Sequence, residues 1–111
     1  MEFTTSLKTN KDFRRVYRKG TSAVRPGLVV YARPNRQGEN RLGFTVTAKV
    51  GKAHTRNRVR RRLREIYRLH ETGLRPGYDM VVVARTRAAE VDYRRLETEF
   101  LAACHELGAA L

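Results

Sequence analysis

Between Lys49 and Arg68 the chain sets nine basic residues and one acid, Glu65, into twenty positions, so this block holds +8 of a formal net charge of +13. Residues of this type do not break bonds; they hold a polyanion. Arg56, Asn57, Arg60, Arg61, Arg64 and Arg68, with Lys49 and Lys52 just before them, are the candidate phosphate ligands, since guanidinium forks grip phosphate oxygens bidentately. The apolar members Val59, Leu63, Ile66, Tyr67 and the body of His70 recur at i, i+4, i+7, i+8 and i+11, which makes the block an amphipathic helix with one packed stripe. Arg56 and Arg58 fall near its start, where the macrodipole disfavours a cation by roughly 0.3 to 1 kcal/mol each. A phosphate at that helix end reverses the sign, because free N–H groups and the dipole both favour an anion. A merely solvated surface helix would mix Glu with Lys at i, i+4 spacing, and here the charge is almost uncompensated.

Catalytic chemistry is not visible. A nucleophile with its base, a paired carboxylate, a metal cluster or a phosphate-cradling glycine loop would be needed. His54, His70 and His105 are scattered without HxxxH or CxxC companions, so no metal site is expected. Lys49-Val-Gly-Lys52 lacks the spacing of a P-loop. Cys104 is the one cysteine and lies in apolar register with Leu96, Phe100 and Leu107, as a buried structural thiol does.

A length of 111 residues suits a single domain over 1–111 with one modest core. At 41% hydrophobic and 32% charged the composition is that of a globular chain rather than a disordered one. Arginine outnumbers lysine 19 to 5; nucleic-acid binding favours such a bias, and a GC-rich genome produces it too, so the net charge is the firmer pointer to a nucleic-acid partner. No window approaches 18 apolar residues and no apolar h-region opens the chain, which predicts a cytoplasmic protein without membrane contact.

The elements that must position the basic block follow from local signals. Thr9 or Asn10 caps a first helix with Asp12 in its first turn and Phe13, Val16 and Tyr17 at i, i+3, i+4; Gly20 stops it. Leu28 to Arg33 reads as a strand after the Pro26-Gly27 turn, and Arg41 to Thr47 alternates apolar and polar residues. The loop Pro34 to Asn40 between them predicts a hairpin. The basic helix runs from about Thr55 to Glu71, stopped by Gly73 and Pro76. Tyr78 to Ala84 is an unbroken apolar run, expected of a strand covered on both faces. Asp92 caps a last helix. The order is αββαβα, with one further short strand near Thr21 to Val24. Leu42 to Val46, the basic helix and Tyr78 to Ala84 form a β-α-β unit, whose crossover the general rule makes right-handed if the strands are parallel.

Phe13, Tyr17 and Tyr31 line a candidate cleft between the first helix and the sheet. Exposed aromatics beside basic residues can stack unpaired bases; the alternative is that Phe13 and Tyr17 simply pack the helix onto the sheet. Alternation places Tyr31 opposite Leu28, Val30 and Ala32.

The segment KVGKAHTRNRVRRRLRE, Lys49 to Glu65, resembles the signature of the bacterial ribonuclease P protein family, in which K-x-G-x-A precedes R-N-x-x-[KR]-R-x-x-R-E. Gly51, Ala53, Arg56, Asn57, Arg60, Arg61, Arg64 and Glu65 match in register. Leu7 and Asp12-Phe13 through Gly20 look like the family's first helix, and Arg41 to Thr47 like the strand leading into the signature. One position departs: after Ala53 the family has a small apolar residue, and here stands His54.

The resemblance implies a small α+β sandwich with a left-handed β-α-β crossover, against the general rule. It implies the accessory subunit of a ribonucleoprotein endonuclease that removes 5′ leaders from precursor tRNA, with Mg²⁺ and the catalytic RNA carrying the chemistry; the sequence itself shows no sign of an obligate protein partner. The basic face would meet the catalytic RNA, and the aromatic cleft would hold the single-stranded leader. Two rival readings stand beside it: a nonenzymatic RNA-binding or ribosomal assembly protein, and a DNA-binding regulator whose Arg60 and Arg64 read guanines, for which no helix-turn-helix spacing is present.

Overall fold

The computed structural model describes all 111 residues. Its elements are β1 (Thr4–Ser6), α1 (Asn10–Lys19), β2 (Thr21–Val24), β3 (Leu28–Pro34), β4 (Asn40–Thr45), α2 (Ala53–His70), β5 (Tyr78–Ala84) and α3 (Tyr93–Glu106), with 3₁₀ turns at Ala48–Val50, Glu71–Gly73 and Thr86–Ala89. The five strands form one sheet in the order β1-β4-β5-β3-β2. β4 lies parallel to both β1 and β5, while β3 runs antiparallel to β5 and β2.

The expected hairpin between β3 and β4 does not form, because β5 inserts between them. Its YDMVVVA run is covered on both faces, and only an inner position in the sheet satisfies both faces and both edges of such a strand. The link α2 therefore joins parallel neighbours, as a β-α-β unit requires. β1 was not expected either: Thr-Thr-Ser has no apolar alternation, and it joins the sheet as a short edge strand paired Thr4 to Asn40 through Ser6 to Leu42.

Alternation divides the sheet into two faces. Leu28, Val30 and Ala32 of β3, Leu42 of β4, and Met80, Val82 and Ala84 of β5 meet Val59, Leu63, Ile66 and Tyr67 of α2 and Leu96, Phe100, Ala103 and Cys104 of α3 in the main core. Tyr67, fully buried, keeps its hydroxyl satisfied by Thr4 Oγ1 at 2.8 Å and Asn40 at 3.4 Å. The last helix is capped as its sequence demands, Asp92 accepting from the Arg95 N–H at 2.8 Å.

The opposite face carries three cross-strand rows: Thr45, Val83 and Val29; Gly43, Val81 and Tyr31; Arg41, Asp79 and Arg33. Helix α1 lies over the middle row. Thr9 caps it by accepting from the Asp12 N–H at 3.1 Å, Val16 packs with Leu7 and Val81 in a small second core, and Phe13 rests on Gly43. A ten-residue helix cannot cover the whole face, so a flank remains open on each side of it.

Candidate nucleic-acid interface

The sequence of α2 gives its two sides different work. Val59, Leu63, Ile66 and Tyr67 bury toward the sheet. Arg58 and Arg62 extend along one flank, donating to the carbonyls of Ala89 at 3.1 Å and Val91 at 3.4 Å; these two fasten the helix to the 3₁₀ turn that follows β5. On the outward side Asn57, Arg61, Arg64 and Arg68, spaced 4, 3 and 4, form one exposed stripe, flanked by the half-exposed Arg56 and Arg60. Lys49 and Lys52 are exposed ahead of the first turn.

Helix α2 starts without a side-chain cap and without an acid in its first turn, leaving N–H groups and the positive dipole end open. Its lead-in depends on Gly51, whose φ of +153° and whose closeness to Thr55 both exclude a side chain: a Cβ there would stand 2.9 Å from Thr55 Cγ2. The Gly51 carbonyl accepts from Arg56 at 3.0 Å. His54, where the signature family carries a small apolar residue, is exposed, so the departure removes no packing contact.

Besides Arg56, three of the predicted phosphate ligands, Asn57, Arg60 and Arg68, are partly engaged within the chain. Arg68 grips Glu65 bidentately at 2.6 and 3.0 Å, which raises the guanidinium pKa and lowers that of the carboxyl through the same hydrogen bonds. Arg60 donates to Asn57 Oδ1 at 3.2 Å. Arg61 and Arg64 have neither ion pair nor hydrogen bond within the chain and are exposed.

Phe13, Tyr17 and Tyr31 come together as the spacing predicts, though unequally exposed. Tyr17 is 36% exposed; its hydroxyl shares a 2.6 Å hydrogen bond with Thr45 Oγ1, and its ring meets that of Tyr31 edge to face at a centroid distance of 4.9 Å. Tyr31 projects from β3 on the face opposite Leu28, Val30 and Ala32, as alternation requires, and is half-buried. Phe13 is half-buried too. Sequence reasoning placed the arginine face and the aromatic cleft on two separate surfaces. In the structure they join: Arg60 lines the same groove as Phe13, Tyr17, Phe44 and Thr45. Phe44, absent from the predicted set, is the bridge; the alternation of β4 sets it with Leu42 against the main core and so gave no sign that it also borders the groove.

Catalytic groups are not assembled. Cys104 is buried, and burial pushes its thiol up to about 12, so no thiolate is available near neutrality. The buried carboxylates are structural: Glu71 accepts from the Glu2 and Phe3 N–H groups, Glu99 from Gly27 N–H and Arg95, and Asp79 from Arg41 and Asn35. No three His, Cys, Asp or Glu residues converge as a metal cage. No helix is long and apolar enough to cross a membrane.

Fold and surface together define a small basic α+β domain in which Arg14 and Arg60 share one groove with Phe13, Tyr17 and Phe44, with no catalytic constellation of its own. The family model for ribonuclease P matches residues 1–108, and the chain belongs to this family, the protein component of a tRNA-processing ribonucleoprotein endoribonuclease. The ribonuclease P protein component of Natranaerobius thermophilus is 46% identical over 96 residues, covering 86% of this chain and 84% of its own. Among solved structures, the RNase P protein of Staphylococcus aureus superposes with a TM-score of 0.87 at 29% identity, covering 96% of this chain and 97% of that one. The Thermotoga maritima protein gives 0.80 at 33% identity, covering 87% and 92%.

Proposed function

We propose that residues 1–111 act as one RNA-binding domain that holds the catalytic RNA on Lys49, Lys52, Arg56, Asn57, Arg60, Arg61, Arg64 and Arg68, and holds the 5′ leader of precursor tRNA in the groove of Phe13, Tyr17 and Tyr31. The observation that carries this reading is the position of Arg60, which borders both the arginine stripe and the aromatic groove. A leader strand leaving the catalytic RNA would pass from phosphate contacts to ring faces without crossing uncharged surface. The helix supplies backbone and shape recognition, the usual mode for structured RNA, and the rings supply stacking without sequence preference.

Mg²⁺ belongs, in this reading, to the RNA active site, since the chain's buried carboxylates Glu71, Asp79 and Glu99 are committed to its own backbone, Asn35 and arginines and no cluster of acids converges. The chain's contribution is to bind, orient and neutralise charge where RNA strands approach one another, in the cytoplasm. The test is reconstitution. Protein added to the catalytic RNA at low Mg²⁺ should restore leader cleavage, and protein alone should leave precursor tRNA intact. Arg60→Ala with Arg64→Ala should flatten the log–log salt dependence of RNA affinity by roughly 0.7 to 0.9 per lost phosphate contact. Cleavage by RNA-free protein, or an unchanged salt slope, would overturn the reading.

A further inference from the structure

We propose a second phosphate-binding site on the far flank of α1, in the concavity lined by Arg15, Lys19, Arg33, Arg36 and Arg41, for the phosphodiester backbone of structured RNA. It goes beyond the leader groove and does not depend on it, because α1 separates the two. Over the middle row of the sheet, the helix leaves the row of Thr45, Val83 and Val29 on one side and the row of Arg41, Asp79 and Arg33 on the other. The first flank is apolar and aromatic. The second is lined by no hydrophobic side chain at all.

The floor of this second flank is rigid. Arg41 donates through Nε to Asp79 Oδ1 at 2.8 Å and through Nη2 to Oδ2 at 2.6 Å, and Asn35 donates to the same Oδ1 at 2.9 Å. Asp79 is buried, and this pairing consumes the only carboxylate lining the concavity. Arg15, Lys19, Arg33 and Arg36 take part in none of the chain's ion pairs. Arg41 also lies 3.9 Å from Asp12 Oδ2, so it is compensated by two carboxylates; the four unpaired cations around it repel each other in the free protein, and a phosphate among them turns that repulsion into attraction. Arg15 and Lys19 come from one helical face at i, i+4, Arg33 from the strand, and Arg36 from a loop where it is the one non-glycine residue with positive φ, +61°. Glycine is the easier residue for that backbone, yet an arginine stands there.

The absence of rings decides the ligand class. With no stacking platform the concavity has no hold on unpaired bases, whereas Arg and Lys clusters suit backbone phosphates whatever the sequence. Such a backbone is offered both by the catalytic RNA and by the folded body of tRNA.

The experiment uses the full chain carrying Arg15→Ala with Arg36→Gly, the second change removing charge while relieving the backbone, so that melting temperature is held. Salt-dependent affinity is measured for the catalytic RNA, and, with assembled holoenzyme, for mature tRNA and leader-bearing precursor. A log–log slope shallower by about 1.4 to 1.8, two contacts' worth, is expected for catalytic RNA or for mature tRNA, and the arm that responds names the source. Unchanged affinity and slope in both arms would overturn the proposal, as would a loss confined to leader-bearing precursor. Equal flattening by Arg75→Ala with Arg94→Ala, two exposed cations outside the concavity, would also overturn it, since net charge alone would then be read.

Discussion

The ring of Phe13 occupies the space that a side chain at position 43 would need: a Cβ on Gly43 would stand 2.4 Å from Phe13 Cζ and 2.7 Å from Cε2. Helix and sheet approach this closely because β4 offers bare backbone under the ring, so the height of α1 above the sheet, and with it the depth of the aromatic groove, is set by this pair. Gly43→Ala should destabilise the fold by about 1 to 3 kcal/mol through overpacking. Phe13→Ala should remove the obstacle, so the two changes together should cost less than their separate sum; a thermodynamic cycle from denaturant unfolding measures the coupling. Strict additivity would mean that the ring moves aside freely.

Tyr31 is half-buried beneath the edge of Tyr17, 4.9 Å between ring centroids, and packs against the small second core rather than on the wall of the groove. If its ring stacks a leader nucleotide, Tyr31→Ala should weaken holoenzyme binding to precursor tRNA with a leader of several nucleotides by roughly 1 to 3 kcal/mol, with mature tRNA hardly affected. Equal losses on both RNAs together with a lowered melting temperature would return Tyr31 to a packing role.

Asp79 gives the fold an acid limb. Burial by itself raises its pKa, and the hydrogen bonds from Arg41 and Asn35 outweigh that and hold the carboxyl below its ordinary 3.8. A group with a depressed folded pKa contributes stability that is complete above its unfolded value and is lost as pH falls through the folded one. Stability should therefore drop as pH falls below about 4, and Asp79→Asn should flatten that part of the curve while costing roughly 1.5 to 3 kcal/mol near neutrality, as expected for hydrogen bonds to a charged group. Urea unfolding at successive pH values reads both effects.

Cys104 is fully buried with its thiol pushed up to about 12. Alkylation by iodoacetamide at neutral pH should be slow in the folded protein and fast in denaturant, and Cys104→Ala should lower stability without altering RNA affinity. Rapid labelling of the native protein would contradict the packing of α3.

Much of this architecture is written locally. The Thr9 and Asp92 caps, the apolar stripe of α2 and the alternation that turns Tyr31 away from the main core each need only a few neighbouring residues, and each stands as expected. What escaped depends on distant pairing. β5 separates β3 from β4, although adjacent strands with a short loop between them look like a hairpin when only neighbours are considered. β1 has a polar sequence and is recruited by the open edge of β4. Arg60 of α2 meets Phe13 and Tyr17 of α1 at the end of β4, where Phe44 and Thr45 also line the groove, and the basic concavity arises where residues 15, 19, 33, 36 and 41 converge; no spacing along the chain encodes either meeting. His70, expected to lend its body to the apolar stripe, is half-exposed and pairs with Glu97 at 2.7 Å.

The inner placement of β5 also governs how the molecule comes into being on the ribosome. The strand to which β3 and β4 both pair spans Tyr78–Ala84 and emerges after α2, some fifty residues behind β3, so at roughly 5 to 20 residues per second the early strands wait for several seconds without their common neighbour. Pairings so distant in sequence must first close a long loop and are slow to form. During that interval the nascent chain displays bare strand edges and a run of arginines in a compartment crowded with RNA. A chain halted before Tyr78 would therefore hold only the separate β2–β3 and β1–β4 pairs, and the last stretch of translation acts as the keystone that joins them.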